Sequence, residues 1–285
     1  MVGGAELIPF WSGSLRFRLS LLLLGGLSCF GKCIAQTTPQ ISIAFELKQG
    51  QPLVHAELNG VPVSLLLDLG GGDKAIVLNP SDAKSVAAHR TESTQSFSSF
   101  DGKIQKALGL EFNSVKLGGV DFGAMTGSEM ADGGTSYVGA GLLGKKLLVL
   151  DYKLNQLRMY ESGDKTAMRR ECGASTFPVD VVRGVFQSYL LTQGKVLTAA
   201  WDTGANFSVI RPSAVNLKIP DYVPGSQPQI HMIQSARLNE STFGALNAAL
   251  IEFKGPPADL VLGTNFFQGK VVCLDALAHS GGVRQ

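Results

Sequence analysis

Twice in this chain an apolar run ends in an Asp-x-Gly turn. Leu65-Leu66-Leu67 leads into Asp68-Leu69-Gly70-Gly71, and Ala199-Ala200-Trp201 leads into Asp202-Thr203-Gly204-Ala205. An isoleucine follows eight residues past each aspartate, at Ile76 and Ile210. An apolar–apolar–Gly triplet comes later in each half: Leu142-Leu143-Gly144, 76 residues after Asp68, and Val261-Leu262-Gly263, 61 residues after Asp202. Both halves then run into an apolar strand that ends in aspartate, at 147–151 and 271–275. A repeated order of this kind means one supersecondary unit used twice. Any fold for the chain must therefore place Asp68 and Asp202 at equivalent points of two similar halves.

The texture between these landmarks is that of strands. Short apolar or alternating runs occupy 41–47, 53–58, 61–67, 104–112 and 147–152, then 177–182, 185–191, 195–201, 248–253 and 270–274. Gly, Asn, Pro and Asp punctuate them, and Asn59-Gly60 between two such runs is a hairpin signal. Helical periodicity is confined to 80–89, after Pro80-Ser81-Asp82, and 211–217, after Arg211-Pro212. The polar stretch 161–175 reads as a linker. The fold class is thus all-β with few short helices. The halves span 36–165 and 166–285.

The first 35 residues read separately. Arg16 and Arg18 precede the apolar run Leu19–Phe30, and Cys33-Ile34-Ala35 precedes polar Gln36. A basic region, a short apolar stretch and a small residue before the cut describe a signal peptide. The run is shorter than the ~20 residues of a membrane span. Cleavage after Ala35 is expected, with lipidation of Cys29 as the alternative. Export, to a periplasm or to the medium, follows from this, and no membrane association is expected after cleavage. The remaining chain holds 22 Lys+Arg against 22 Asp+Glu, which gives no basis for a nucleic-acid partner. Cys172 and Cys273 remain as an even pair in an oxidising compartment, either a disulfide or two separate buried thiols. His55, His89, His231 and His279 show no metal-ligand spacing, so no metal or cofactor is expected.

A lone Asp-Thr/Ser-Gly triplet is cheap, arising by chance in roughly one chain of this length in ten. Embedded twice in strand, turn, Ile/Val and Gly-bearing brace, the pattern resembles the retropepsin-like aspartic peptidases, with two copies fused in one chain as in the pepsin-like enzymes. The likeness covers 41–277. It implies a bilobal fold of two six-stranded-type β-barrel lobes with a cleft between them. It implies a catalytic pair, Asp68 and Asp202, supported by loop residues Gly70, Thr203 and Gly204 and braced by Gly144 and Gly263. A flap over the cleft is expected at 97–105, with Phe100, Asp101 and Gly102 at its tip. The implied partner is a peptide or protein substrate, met by a monomer.

Two carboxyls held close share one proton, because ionising both is costly. One form then abstracts a proton from water while the other hydrogen-bonds a scissile carbonyl. One position departs from the family. The residue after the aspartate is normally Thr or Ser, and the two hydroxyls lock the lobes together. Thr203 keeps this and Leu69 does not, so Thr203 has to find a backbone group or a water, with Leu69 in an apolar pocket. The first turn also reads Gly-Gly-Gly where Gly-Ala is usual. The alternative function is accordingly a non-catalytic peptide-binding protein of the same fold. Three motifs are set aside. Gly139-Ala-Gly141-Leu-Leu-Gly144 fits a dinucleotide fingerprint but is followed by a strand rather than a helix. Asn206-Phe-Ser208 and Asn239-Glu-Ser241 fit glycosylation acceptors, and the first of them falls inside an Asp-x-Gly loop.

Overall fold

The computed structural model describes residues 38–98, 102–131, 134–216 and 228–285. The segment 1–35, expected to be a signal peptide, with Cys29, and the expected flap-tip residues Phe100 and Asp101 lie outside the described residues. The first half supplies strands β1 (Ile41–Lys48), β2 (Gln51–Leu58), β3 (Val61–Asp68), β4 (Ile76–Leu78), β5 (His89–Ser98), β6 (Ile104–Leu117), β7 (Val120–Met130), β8 (Tyr137–Gly139), β9 (Leu147–Asp151) and β10 (Gln156–Tyr160). The second supplies β11 (Asp180–Val182), β12 (Val185–Thr192), β13 (Lys195–Trp201), β14 (Val209–Ile210), β15 (Ile230–Ile233), β16 (Ala236–Leu238), β17 (Ser241–Phe243), β18 (Leu246–Leu250), β19 (Leu260–Leu262), β20 (Val271–Asp275) and β21 (Ser280–Arg284). Four short helices, α1 (Pro80–Ser85), α2 (Ala140–Leu143), α3 (Lys165–Cys172) and α4 (Thr264–Phe267), complete the described elements with a 3-10 turn at Pro212–Val215.

Strand registers show the duplication directly. In the first half β2, β3, β8, β4, β7 and β6 pair in that order, and β6 returns to β2, closing a six-stranded barrel. Full closure leaves no strand edge in that ring. In the second half β12, β13, β19, β14 and β18 repeat the order, but the counterpart of β6 is broken into β15, which pairs with β18, and β16, which pairs with β12. This half is a half-barrel. Both halves carry two parallel pairs, β3–β8 and β4–β7 in the first and β13–β19 and β14–β18 in the second, and the first of each lies at the heart of the repeat. β3 runs beside β8 with Leu67 opposite Val138 and Asp68 opposite Gly139, and β13 runs beside β19 with Trp201 opposite Leu262. Leu65 and Leu67 of β3 and Ala199 and Trp201 of β13 are buried in one continuous core.

These registers correct one reading of the repeat. Val138 and Leu262 are equivalent, so the counterpart of Gly263 is Gly139, five residues before Gly144. A side chain at Gly263 would strike the Phe207 and Ser208 backbone at 2.5–2.8 Å, and one at Gly139 would strike the Lys74 carbonyl at 2.7 Å. Gly144 closes α2 and a side chain there would meet only Ala140 of its own helix at under 3 Å. It braces no Asp loop. The dinucleotide-like glycines are accounted for in the same way, because a side chain at Gly141 would lie 2.1 Å from the Asp73 carbonyl.

The two halves meet in a shared antiparallel sheet of β1, β10, β9, β20 and β21, in which β9 and β20, the two Asp-terminated strands, are direct neighbours centred on Val149 opposite Cys273. The last two strands of the second half are therefore built into a sheet with the first. The polar segment 161–175 is more than a linker. It holds α3, capped by Asp164, whose carboxylate accepts from the Ala167 N–H at 2.9 Å. Ala167, Met168, Glu171 and Cys172 make its buried face, a spacing of i, i+1, i+4 and i+5 that is helical despite the polar composition. Cys172 and Cys273 form a disulfide that ties α3 to β20.

The bridge closes a loop of 101 residues and both sulfurs are buried. Replacing both cysteines with alanine is expected to lower stability by about 2–5 kcal/mol, as loss of a native disulfide from a folded domain does. Urea denaturation of the purified double variant against the oxidised parent measures it.

Candidate active site

The repeat delivers both aspartates to one place. β3 and β13 are buried at their C-terminal ends and parallel-paired there, and each leads into a seven-residue connection, 69–75 and 202–208, that forms the Asp-x-Gly loop. The Gly70 N–H donates to Asp68 Oδ1 at 2.8 Å, and the Gly204 and Ala205 N–H groups donate to Asp202 Oδ1 at 2.8 and 3.0 Å. The loops interlock. A methyl group on Gly70 would sit 2.2 Å from Cγ of Asp202, and one on Gly204 would sit 2.6 Å from Cγ of Asp68. Each glycine is thus the floor on which the opposite carboxyl rests, so no residue with a Cβ fits either position.

The two carboxyls, each seated on the other loop's glycine, are close enough to shift each other's titration. Burial first, and the Asp202 charge second, hold Asp68 well above the usual carboxylate range, against the pull of the Gly70 and Gly71 amides. Burial also raises Asp202, opposed by the Ala205 amide, by the neighbouring Asp68 carboxyl and by the Gly204 amide. One proton is thereby retained by the pair over a range where separate carboxylates would both be ionised, and it titrates as a property of the pair.

The loops are joined by a single hydroxyl. Thr203 is fully buried; its Oγ1 accepts from the Leu69 N–H at 3.0 Å and donates to the Leu67 carbonyl at 2.5 Å. The backbone of the first loop is the partner that Thr203 requires, and no hydroxyl at 69 is involved. Leu69 is itself fully buried in the main core. The Gly-Gly variation has an equally local reason. A methyl on Gly71 would lie 2.5 Å from Cε2 of Tyr137, whose hydroxyl donates to the Gly71 carbonyl at 3.2 Å. In the second half the equivalent pair is Ala205 and Val261, a larger loop residue facing a smaller strand residue.

Two hairpin tips complete the cross-bracing. Gln49-Gly50, between β1 and β2, and Arg183-Gly184, between β11 and β12, both have left-handed backbones. From the first tip Gln51 Nε2 donates to the Gly204 carbonyl. The second tip seats on the Asp68 loop, where a side chain at Gly184 would meet the Asp73 amide at 2.1 Å. Each half therefore sends one hairpin onto the other half's aspartate loop. Tyr137, Gln51, Gly139, Gly141 and the 183–184 tip were not identified from sequence. Only the repeat alignment, read to the correct glycine, carries a signal for any of them.

Above the pair opens a cleft of about 950 Å³ whose lining includes Asp68, Asp202, Gly70, Gly204, Tyr137, Val209 and Ile251. Ser96 on β5 and Gln105 on β6 line it too, so the described strands on either side of the expected flap segment 97–105 border the cleft. Gly102, the described residue of the expected tip, has a left-handed backbone and abuts the Lys254 side chain across the cleft. Among the described residues no group of three or more His, Cys, Asp or Glu is placed to hold a metal ion, and no helix is long and apolar enough to cross a membrane.

No protein-family model and no curated protein matches the chain. Among solved structures it is similar to basic 7S globulin from soybean (8% identity, 85% of this chain and 93% of that one, TM-score 0.53). It is also similar to conglutin gamma, a basic 7S globulin from lupine seeds (10% identity, 87% and 95%, TM-score 0.52). A retropepsin-like aspartic protease from Rickettsia conorii aligns at 22% identity over 42% of this chain and 89% of that one, with a TM-score of 0.32. The chain has the bilobal all-β fold of the aspartic-protease type.

Two outcomes follow from the interlocked loops. Gly70→Ala should push Asp202 out of place and abolish any function of the pair, with a melting temperature lowered by several degrees; a melt and a crystal structure of the variant check this. The second concerns pH. Both carboxyls have raised pKa values, so the folded state holds protons more tightly than the unfolded chain and loses stability as pH rises through the window above the ordinary carboxylate range. Asp68→Asn removes that cost. At neutral pH the variant should melt above the parent, by about 2–4 °C for each kcal/mol relieved, and the gap should close as the pH is lowered into mild acid. Paired melting curves across that range measure it.

Proposed function

We propose that the protein is an exported aspartic-type endopeptidase in which Asp68 and Asp202 together activate water against a peptide bond. One observation carries the reading: two carboxyls from equivalent loops, each seated on the glycine of the opposite loop, lie together on the floor of an open cleft. In this scheme the charged member takes a proton from water. The protonated member hydrogen-bonds the scissile carbonyl, and the tetrahedral intermediate collapses as the proton passes to the leaving amine. No covalent intermediate and no cofactor is required. An extended peptide lies in the cleft beneath the 89–117 hairpin, pairing through its backbone as an added strand does.

The disulfide between Cys172 and Cys273 supports an oxidising compartment, in keeping with a signal peptide at 1–35 and a periplasmic or secreted destination. The protein works as a monomer in this reading, since one chain supplies both aspartates. The absent hydroxyl at Leu69 favours the second reading, a peptide-binding protein without turnover. The bonds of Thr203 to the Leu67 and Leu69 backbone favour the first, because they join the loops without that hydroxyl.

Cleavage of an unstructured protein substrate should be strongest in mild acid, where the pair holds one proton. Asp68→Asn and Asp202→Asn should each lower kcat/KM by roughly 100-fold to 10,000-fold, the scale of general acid–base catalysis. Mass spectrometry of the products reads the bonds cut. Peptide binding by the parent with no product at any acidic pH would assign the second function instead.

A further inference from the structure

The charges on the cleft walls are unequal. Apart from the pair, the charged residues lining it among the described residues are Asp73, Lys74, Arg183 and Lys254. Asp73 and Lys74 pair with each other at 3.3 Å, and that carboxylate is three-quarters exposed. This leaves Arg183 and Lys254, both exposed, and among the described residues neither has a carboxylate partner. Among the described residues no glutamate lines the cleft.

Close packing places the start of each side chain. Arg183 stands at a hairpin tip in the left-handed region (φ 53°), and Gly184 beside it seats against the backbone of Gly72 and Asp73. The guanidinium therefore belongs to the wall next to the Asp68 loop. The stem of Lys254 packs against Gly102, where an added methyl would touch its Cβ at 2.6 Å. That ammonium belongs to the wall next to the flap. Apolar side chains, among them Val185, Val209 and Ile251, also line the cleft.

We infer that the cleft selects extended peptides in which an apolar residue at the pair is flanked by aspartate or glutamate, read by Arg183 and Lys254. This names a substrate class for the endopeptidase reading and rests on that reading for turnover, but not for binding. An acidic flank gains two ion pairs across the cleft. A basic flank places like charges in a confined, partly apolar space, which costs free energy of the same order.

The test uses the full-length protein and two fluorescein-labelled peptides that share a Leu-Phe centre, one flanked by glutamates and one by lysines. Anisotropy is read near pH 6, where glutamate side chains are ionised. The acidic peptide should bind roughly tenfold more tightly at low salt, from two exposed pairs and two relieved repulsions, and added salt should shrink the difference. In the double variant Arg183→Asn, Lys254→Gln the preference should fall to within about twofold. Asparagine is chosen because it tolerates the left-handed turn, and a melting curve checks that the variant is folded. Equal binding of the two peptides by the parent, preference for the lysine peptide, a preference unchanged in the double variant, or no binding of either peptide would overturn the inference. The same samples, followed for product, separate the two claims. Preferred binding of the acidic peptide without cleavage supports the inference and removes the peptidase. Cleavage of both peptides with equal affinity removes the inference and supports the peptidase.

Discussion

Two carboxyls cannot be kept side by side by their own packing, because each gains from leaving the other for water. What holds them here is the close approach of two backbones. Gly70 and Gly204 each present a bare Cα to the opposite carboxyl, and the Thr203 hydroxyl spans from its own loop to both the N–H and the carbonyl flanking Asp68. Deleting that hydroxyl would leave buried backbone groups without a partner, at about 1–3 kcal/mol for each. The raised pKa values are a consequence of this approach. The pair is squeezed by the backbone, and the retained proton is what makes the squeeze tolerable.

The squeeze requires the halves to be held in register, and the shared sheet joins one strand from each. β9 and β20 lie side by side near its centre, antiparallel and centred on Val149 opposite Cys273, so one strand from each half fixes the other's position through a ladder of backbone bonds. The disulfide and α3 fasten the back of that sheet. Arg158 adds a buried link, donating to both Asp151 and Glu171 at 2.9 Å, and so ties the end of β9 to α3. The crossed hairpins do the same at the front: Gln51 bonds to the Asp202 loop, and Gly184 seats on the Asp68 loop.

The sequence made the strand texture and the two aspartates legible because both are local: an apolar run and the turn that ends it. It was less informative where a residue's meaning depends on the opposite half. β5 and β7 are hard to read because their alternation is diluted by Thr, Ser, Gln and Gly, and β10 because it is only five residues long and carries Gln156 and Arg158 among its apolar positions. α3 is hidden by five charged or polar residues among eight, although its buried positions keep helical spacing. Gly144 was chosen over Gly139 because Leu-Leu-Gly looks more like Val-Leu-Gly than Tyr-Val-Gly does. Only strand pairing decides which glycine faces the loop.

Tyr137 is also the reason the first loop looks degenerate. Where the second loop carries Ala205 opposite Val261, the first carries Gly71 opposite Tyr137, and the ring occupies the volume that an alanine methyl would need. Read alone, three consecutive glycines suggest a loop released from constraint. Read with its neighbour, Gly71 is the small member of an exchanged pair and is as constrained as Ala205. Leu69 follows the same logic. Its side chain is fully buried in the core, so the first half contributes apolar packing where the second contributes a hydrogen-bonding hydroxyl, and the two half-contributions meet at the Leu69 N–H. The asymmetry between the loops is thus compensated at each position within reach of a contact, while Asp68, Gly70, Asp202 and Gly204, which touch one another across the cleft, are kept the same in both.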